Sequence, residues 1–255
     1  MIHLCHLRSF LTTIRYAGLT LSLAKCEFGQ AEVRLLGHRV GSGMKRADPL
    51  RLAAIAEIPR STTKKELRRL LGALGYYREY IPQFAKIAKP LTDLTTKRVP
   101  SVIEWGEIHE KAFLALQRLL CSPPVLVLPD IGRPYVLHTD SSGSTVAATL
   151  GQVHDEKVER PIAFASQKLS GSQLGWAIIE KEAYAIIWAL NKLRDIVYGS
   201  RITVMWDHNP LQYIHECATK SAKLLRWSLS LQEYDVEVKY TKGTQNVVAD
   251  WLSRV

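Results

Sequence analysis

Four acidic residues stand where carboxylates could do chemistry. Asp140 ends the segment Leu137-His138-Thr139-Asp140-Ser141-Ser142, and Asp207 follows Met205-Trp206 and precedes His208-Asn209-Pro210. Each closes a β-prone run, and the strand ends of α/β sheets are where ligand sites gather. Taken singly, each is more often a turn or cap aspartate. Glu182 carries a stronger physical argument. Ile178, Glu182, Ile186, Ala189 and Leu193 share one face of a predicted helix, and that face is otherwise apolar. A carboxylate on a core-facing stripe is costly unless it is paired or binds a cation. A position at the half-exposed margin of the stripe is the other reading. Glu180 lies off the stripe and reads as a solvated acid. Asp250 falls in the first turn of the last predicted helix, where the helix dipole favours an acid anyway.

Together the four acids suit hard divalent cations, Mg2+ or Mn2+, which take oxygen ligands. Two such ions about 4 Å apart activate a water and stabilise the leaving oxygen of a phosphodiester. Clustered like charges without cations would repel one another.

The elements that position these acids follow from the pattern of residues 129–255. Strands are expected at Tyr135–Asp140, Thr145–Gln152, Pro161–Ser166, Ile202–Asp207 and Val236–Tyr240. Helices are expected at Ala177–Leu193, at Ser221–Glu233 and after Asn246. Strands followed by alternating helices and strands indicate α/β with a mixed sheet.

Residues 59–128 read as mainly helical. Thr63 with Glu66 fits a capping box, and Leu67, Leu70, Leu71 and Leu74 form an apolar stripe. Lys64, Lys65, Arg68 and Arg69 occupy the opposite face, which suits either a nucleic-acid backbone or plain solvation. Tyr76, Tyr77 and Arg78 follow. Aromatic side chains beside basic ones can stack on bases, as expected of Tyr77 with Arg78, or fill a groove between helices. Residues 1–58 open with a short amphipathic helix on Leu4, Leu7, Leu11 and Ile14, ended by Gly18. A strand at Val33–Leu36 is broken by Gly37, and Gly41-Ser42-Gly43 marks a turn.

The chain has 255 residues, 47% of them hydrophobic, and a net charge of +10. This excludes a disordered composition and favours a polyanionic partner. No apolar run is long enough for a membrane span and no signal peptide is evident, so an intracellular location and no membrane partner are expected. Cys5, Cys26, Cys121 and Cys217 are widely spaced and read as reduced thiols, some in the core.

These residues resemble the C-terminal part of the pol polyprotein of gypsy-type LTR retrotransposons, along essentially the whole chain. Gly18-Leu19-Thr20-Leu21, Lys25-Cys26-Glu27-Phe28 and Leu36-Gly37-His38 resemble the end of a reverse-transcriptase palm, the last being similar to a primer grip. Leu70-Leu71-Gly72, Tyr76-Tyr77-Arg78, Ile81-Pro82 and Pro90-Leu91 are similar to its thumb. Glu104-Trp105, Ala112-Phe113 and Pro124-Val125-Leu126 are similar to its connection. Thr139-Asp140-Ser141-Ser142, Glu180-Lys181-Glu182, Asp207-His208-Asn209-Pro210-Leu211 and Asn246-Val247-Val248-Ala249-Asp250 resemble the motifs of its ribonuclease H. The resemblance implies a palm segment at 1–58, thumb and connection at 59–128 and an RNase H-like five-stranded domain at 129–255. It places the metal-binding and catalytic acids on Asp140, Glu182, Asp207 and Asp250, and the substrate would be an RNA–DNA hybrid.

The departures shape the expectation. The Tyr-x-Asp-Asp motif of the polymerase is absent, so polymerisation by this chain alone is not expected; the resemblance implies a truncated reverse transcriptase/RNase H, with the missing polymerase part in trans as an open partner. Trp206 replaces a usual Thr, and Trp176-Ala177-Ile178-Ile179 replaces a more polar stretch. Thr241–Gln245 lacks the His of cellular enzymes, which implies slower proton transfer or product release. Two alternatives stay open: a catalytically inactive nucleic-acid-binding remnant, and a chain whose N-terminal third has no stable fold, leaving apolar faces exposed.

Overall fold

The computed structural model describes residues 2–154, 158–206 and 221–240. The chain divides into two compact units, residues 1–33 and 34–255. This boundary differs from the one expected near residue 58. The reason is packing: Ala47, Leu52 and Ile55 belong to the same core as Leu67, Leu70 and Leu116.

In the first unit, α1 (Ile2–Tyr16) is ended by Gly18 in the left-handed region, φ 68°. Leu4, Phe10, Leu11, Leu19 and Leu23 are all exposed. Strand β1 (Glu32–Leu35) crosses the boundary.

The second unit holds β2 (His38–Gly41) and β3 (Met44–Ala47), an antiparallel hairpin turned by Ser42 and Gly43. Both turn residues have positive φ, 51° and 71°, the geometry that matches strand twist in two-residue hairpins. β3 also pairs with β4 (Leu126–Val127). Between them lie α2 (Pro49–Ala56), α3 (Lys64–Tyr76), α4 (Phe84–Ile87), α5 (Lys89–Asp93) and α6 (Glu107–Cys121). The capping box at Thr63 and Glu66 forms as expected, and Leu67, Leu70 and Leu74 are buried.

The larger sheet contains β5 (Tyr135–Ser141), β6 (Thr145–Val153), β7 (Glu159–Lys168), β8 (Arg201–Trp206) and β9 (Asp235–Tyr240), in the order β7-β6-β5-β8-β9. β5, β6 and β7 are antiparallel, while β8 and β9 run parallel to β5. The helices are α7 (Gly171–Leu174), α8 (Ile178–Lys192), α9 (Arg194–Val197) and α10 (Ala222–Leu231). This is the mixed five-stranded α/β fold expected. The helix expected after Asn246 lies outside the described residues.

Registered neighbours share a face of a sheet. Ala163, Leu150, Leu137 and Val204 form one such row across four strands, and α8 packs on that face. The opposite face carries Phe164, Thr149 and His138. Phe164 belongs to the helical core, and α4 covers β6 and β7 on that side. The sheet is therefore sandwiched between its own helices and the helical segment that precedes it in sequence.

Cys5, Cys26 and Cys121 are free thiols. Cys5 and Cys121 are exposed and Cys26 is half-buried, so none of the three fills the core as expected. Among the described residues no helix is long and apolar enough to cross a membrane.

Candidate functional site

Asp140 is the penultimate residue of β5, the central strand, and its side chain is exposed at that strand's C-terminal end. It pairs with Ala147, which pairs with Ser166, so it points to the face opposite the α8 core. Gln83 reaches it from just before α4, and the Gln83 Nε2 donates to Asp140 Oδ2 at 3.3 Å. The loop after Asp140 is closed by Ser142, whose Oγ accepts from Thr145 N at 3.0 Å and lies 2.8 Å from Thr145 Oγ1. This gives the Ser142 of the motif a structural role.

Glu182 lies on the second turn of α8, half-buried. The stripe that carries it rises out of the core: Ile186 and Ala189 are fully buried, whereas Ile178 is 75% exposed. Glu182 therefore sits at the margin of the stripe, and the burial cost expected of it is smaller than a core position would impose. Neighbouring Lys181 fixes this end of α8, since its Nζ donates to Leu174 O at 2.8 Å and to Gly143 O at 3.4 Å. Gly143 follows Asp140 by three residues, so the first turns of α8 are held at the strand end where Asp140 emerges. β8 runs parallel to β5 with His138 opposite Met205, and terminates toward that same end of the sheet at Trp206. Asp207 and Asp250 lie outside the described residues.

Glu180 is not the solvated acid its position suggested. Lys223 Nζ lies 2.5 Å from its Oε1, and that ammonium also sits 4.3 Å from the Trp176 ring centre and 5.3 Å from that of Trp227. Trp176, Tyr184 and Trp227 form an aromatic cluster between α8 and α10.

The predicted nucleic-acid face divides. Lys65, Arg69 and Arg78 are exposed. Lys64 Nζ instead donates to the carbonyls of Thr96 and Val99, and Arg68 Nη2 to the carbonyl of Thr95 at 2.9 Å. Lys64 uses two donors and Arg68 one to close the turn after α5. Tyr77 is corrected outright. It is 1% exposed, and its hydroxyl donates to Gly37 O at 3.0 Å, so no base can stack on it. Tyr76 is the exposed one of the pair, and its hydroxyl bonds Leu36 O. These two tyrosines clamp the Leu36-Gly37 turn, where both residues have positive φ. A Cβ at Gly37 would meet Tyr77 Oη at 3.1 Å. His38 stacks between Tyr76 and Tyr80, and burial beside Lys45 holds its imidazole below the ordinary pKa.

Sequence reasoning missed Gln83 and Lys181. Lone polar residues carry no local signal of such contacts.

Residues 130–234 match the RNase H-like domain found in reverse transcriptase. These residues are an RNase H-like domain of the reverse-transcriptase kind. The domain and what precedes it are similar to Pol polyproteins of LTR transposons along nearly the whole chain. Identity is 39% to the retrovirus-related Pol polyprotein from transposon opus of Drosophila melanogaster, over 99% of this chain and 26% of that protein. It is 34% to that from transposon gypsy of the same fly, over 99% and 25%. A Tf2-3 polyprotein of Schizosaccharomyces pombe is 31% identical over 99% and 19%. The chain thus spans about a quarter or less of the length of these relatives. Among solved structures, the foamy viral protease–reverse transcriptase with RNA/DNA hybrid has a TM-score of 0.79 at 23% identity, over 96% of this chain and 34% of that one. A related foamy viral structure with double-stranded DNA has a TM-score of 0.78 at 24% identity, over 94% and 43%. At these identities the likeness is one of fold, and it covers the helical segment as well as the RNase H-like domain.

The donor described at the candidate strand end is the exposed Asp140 carboxylate, an oxygen ligand that fits a hard divalent cation. Among the described residues no three His, Cys, Asp or Glu side chains are grouped to hold a metal. Two of the four expected ligands fall outside those residues.

Proposed function

We propose that the RNase H-like domain cleaves the RNA strand of an RNA–DNA hybrid in a reaction that depends on Mg2+ or Mn2+. Two ions would be held by Asp140, Glu182, Asp207 and Asp250. The observation that carries this reading is the placement of Asp140, exposed at the C-terminal end of β5 beside the loop whose Gly143 carbonyl Lys181 of α8 bonds. A bound cation supplies a Lewis acid and an activated water. The chain's own part is to present carboxylate oxygens at fixed positions and to hold the hybrid beside them. Lys65, Arg69 and Arg78 would track phosphates, and the 2′-hydroxyls and groove shape of the hybrid would distinguish it from DNA. The foamy viral relative of this fold is described with RNA/DNA hybrid, which supports that substrate class.

The test is cleavage of a hybrid by the full chain with Mg2+, beside Asp140→Asn. Cleavage of the RNA strand that the variant loses supports the reading. Salt-sensitive binding with no cleavage by either protein overturns it and leaves a nucleic-acid-binding protein without nuclease activity.

A further inference from the structure

Gln83 stands between Pro82 and α4 with a left-handed backbone, φ 50° and ψ 29°. Few residues other than glycine, asparagine and aspartate adopt this conformation. At the N-cap of a helix the side chain normally satisfies a free amide, yet the Gln83 side chain makes no capping bond. Its backbone carbonyl accepts from Lys86 N at 2.9 Å and Ile87 N at 3.2 Å. The side-chain amide crosses instead to the sheet and donates to Asp140 Oδ2. Among the described residues it is the one hydrogen-bond partner of that carboxylate.

The donor is itself fixed to the sheet. Ala85 N donates to Ser166 Oγ at 2.8 Å, and Ser166 lies in the same cross-strand row as Asp140. Lys168 Nζ donates to Thr92 Oγ1 at 3.1 Å and to Asp93 Oδ1 at 2.5 Å. Phe164 is buried in the helical core. The left-handed backbone, tied to the sheet two residues on through Ala85, therefore directs the Gln83 amide at an otherwise exposed acid.

We propose that Gln83 is a positioning residue that orients the Asp140 carboxylate, so that the nuclease site depends on the helical segment preceding the RNase H-like domain. The inference deepens the reading of Asp140 given above and rests on it for its link to cleavage. One hydrogen bond to Oδ2 leaves the other oxygen and a further lone pair for a cation. Groups that orient a metal ligand in this way are typically worth about 10–100-fold in metal affinity or activity.

The test uses the full chain with Gln83→Gly and Gln83→Asn. Glycine relieves the positive φ. Asparagine tolerates it but is one methylene too short to keep the contact. Neither change is expected to lower the thermal midpoint. Three-bond NMR couplings report the Asp140 χ1 rotamer in metal-free protein: a single rotamer in the wild type and rotamer averaging in both variants are expected. The Mg2+ concentration for half-maximal hybrid cleavage should rise about tenfold in both. An Asp140 rotamer distribution that is the same in all three proteins overturns the proposal. If the wild type does not cleave, the nuclease reading fails, and the rotamer measurement still decides whether Gln83 positions Asp140.

Discussion

The ammonium of Lys168 on β7 lies 2.5 Å from a carboxylate oxygen of Asp93 on α5. Lys89 approaches the other oxygen at 3.1 Å. Burial works against the Asp93 charge, but the hydrogen bonds from Lys168 and Lys89 outweigh it and hold the carboxyl below its ordinary pKa. A depressed folded pKa gives stability that is present above the unfolded value of about 3.9 and fades as pH falls through the folded one. Both side chains are more than a third exposed, so screening limits the effect to about 0.5–1 kcal/mol. Asp93→Asn should therefore lower stability at pH 7, and the gap from wild type should shrink toward pH 3. Urea unfolding at the two pH values measures this, and a gap independent of pH would contradict the assignment.

The same contacts make the RNase H-like domain dependent on what precedes it. A fragment of residues 129–255 would uncover Phe164 and leave Ser166 and Lys168 without their partners. Losing the burial of Phe164 alone costs about 1.5–3 kcal/mol. The fragment should melt lower than residues 34–255 and bind more of an apolar dye. Equal melting and dye binding would show that α4 and α5 contribute nothing to the domain.

These dependences mark the limit of what the residues disclose by themselves. Strand alternation in Tyr135–Ser141 and Thr145–Val153 is local, and both strands were legible. So was the capping box of α3, because its two partners are three residues apart. Glu180 was misread because its cation, Lys223, lies 43 residues away. The burial of Tyr77 depends on a turn 40 residues earlier. The boundary at residue 33 follows from packing between Ala47 and the helices beyond residue 58, which no periodicity reveals. The strand that ends at Asp140 and the helix that carries Glu182 were legible, and the contacts of Gln83 and Lys181 were not.

Lysines and arginines of α3 should separate by salt dependence. Lys65 and Arg69 are exposed, whereas Lys64 and Arg68 bond loop carbonyls. Each phosphate contact contributes about 0.9 to the slope of log affinity against log salt. Lys65→Ala and Arg69→Ala should each reduce that slope by roughly one for hybrid binding measured by fluorescence anisotropy. Lys64→Ala should leave the slope alone and lower the melting temperature. The reverse pattern would assign the nucleic-acid face to the wrong pair.

Lys223 ties α10 to the N-terminal turns of α8 through Glu180 and two tryptophan rings. Lys223→Met keeps most of the bulk, removes the charge and leaves Glu180 half-buried without its cation. The expected loss is about 1–2 kcal/mol, read by denaturant unfolding. Lys223→Arg should recover much of it. A neutral Lys223→Met would mean that packing of the rings alone holds the two helices together.

The proposed nuclease site joins Asp140, Glu182, Asp207 and Asp250 around divalent cations. The most direct measurement is strand-specific cleavage of an RNA–DNA hybrid by the full chain with Mg2+, comparing wild type with Asp140→Asn, Glu182→Gln, Asp207→Asn and Asp250→Asn. Wild type is expected to cut only the RNA strand, chelation to stop it, and each variant to bind hybrid but lose most of the cleavage. No RNA cleavage by the wild type, or full cleavage by any of the four variants, would contradict it.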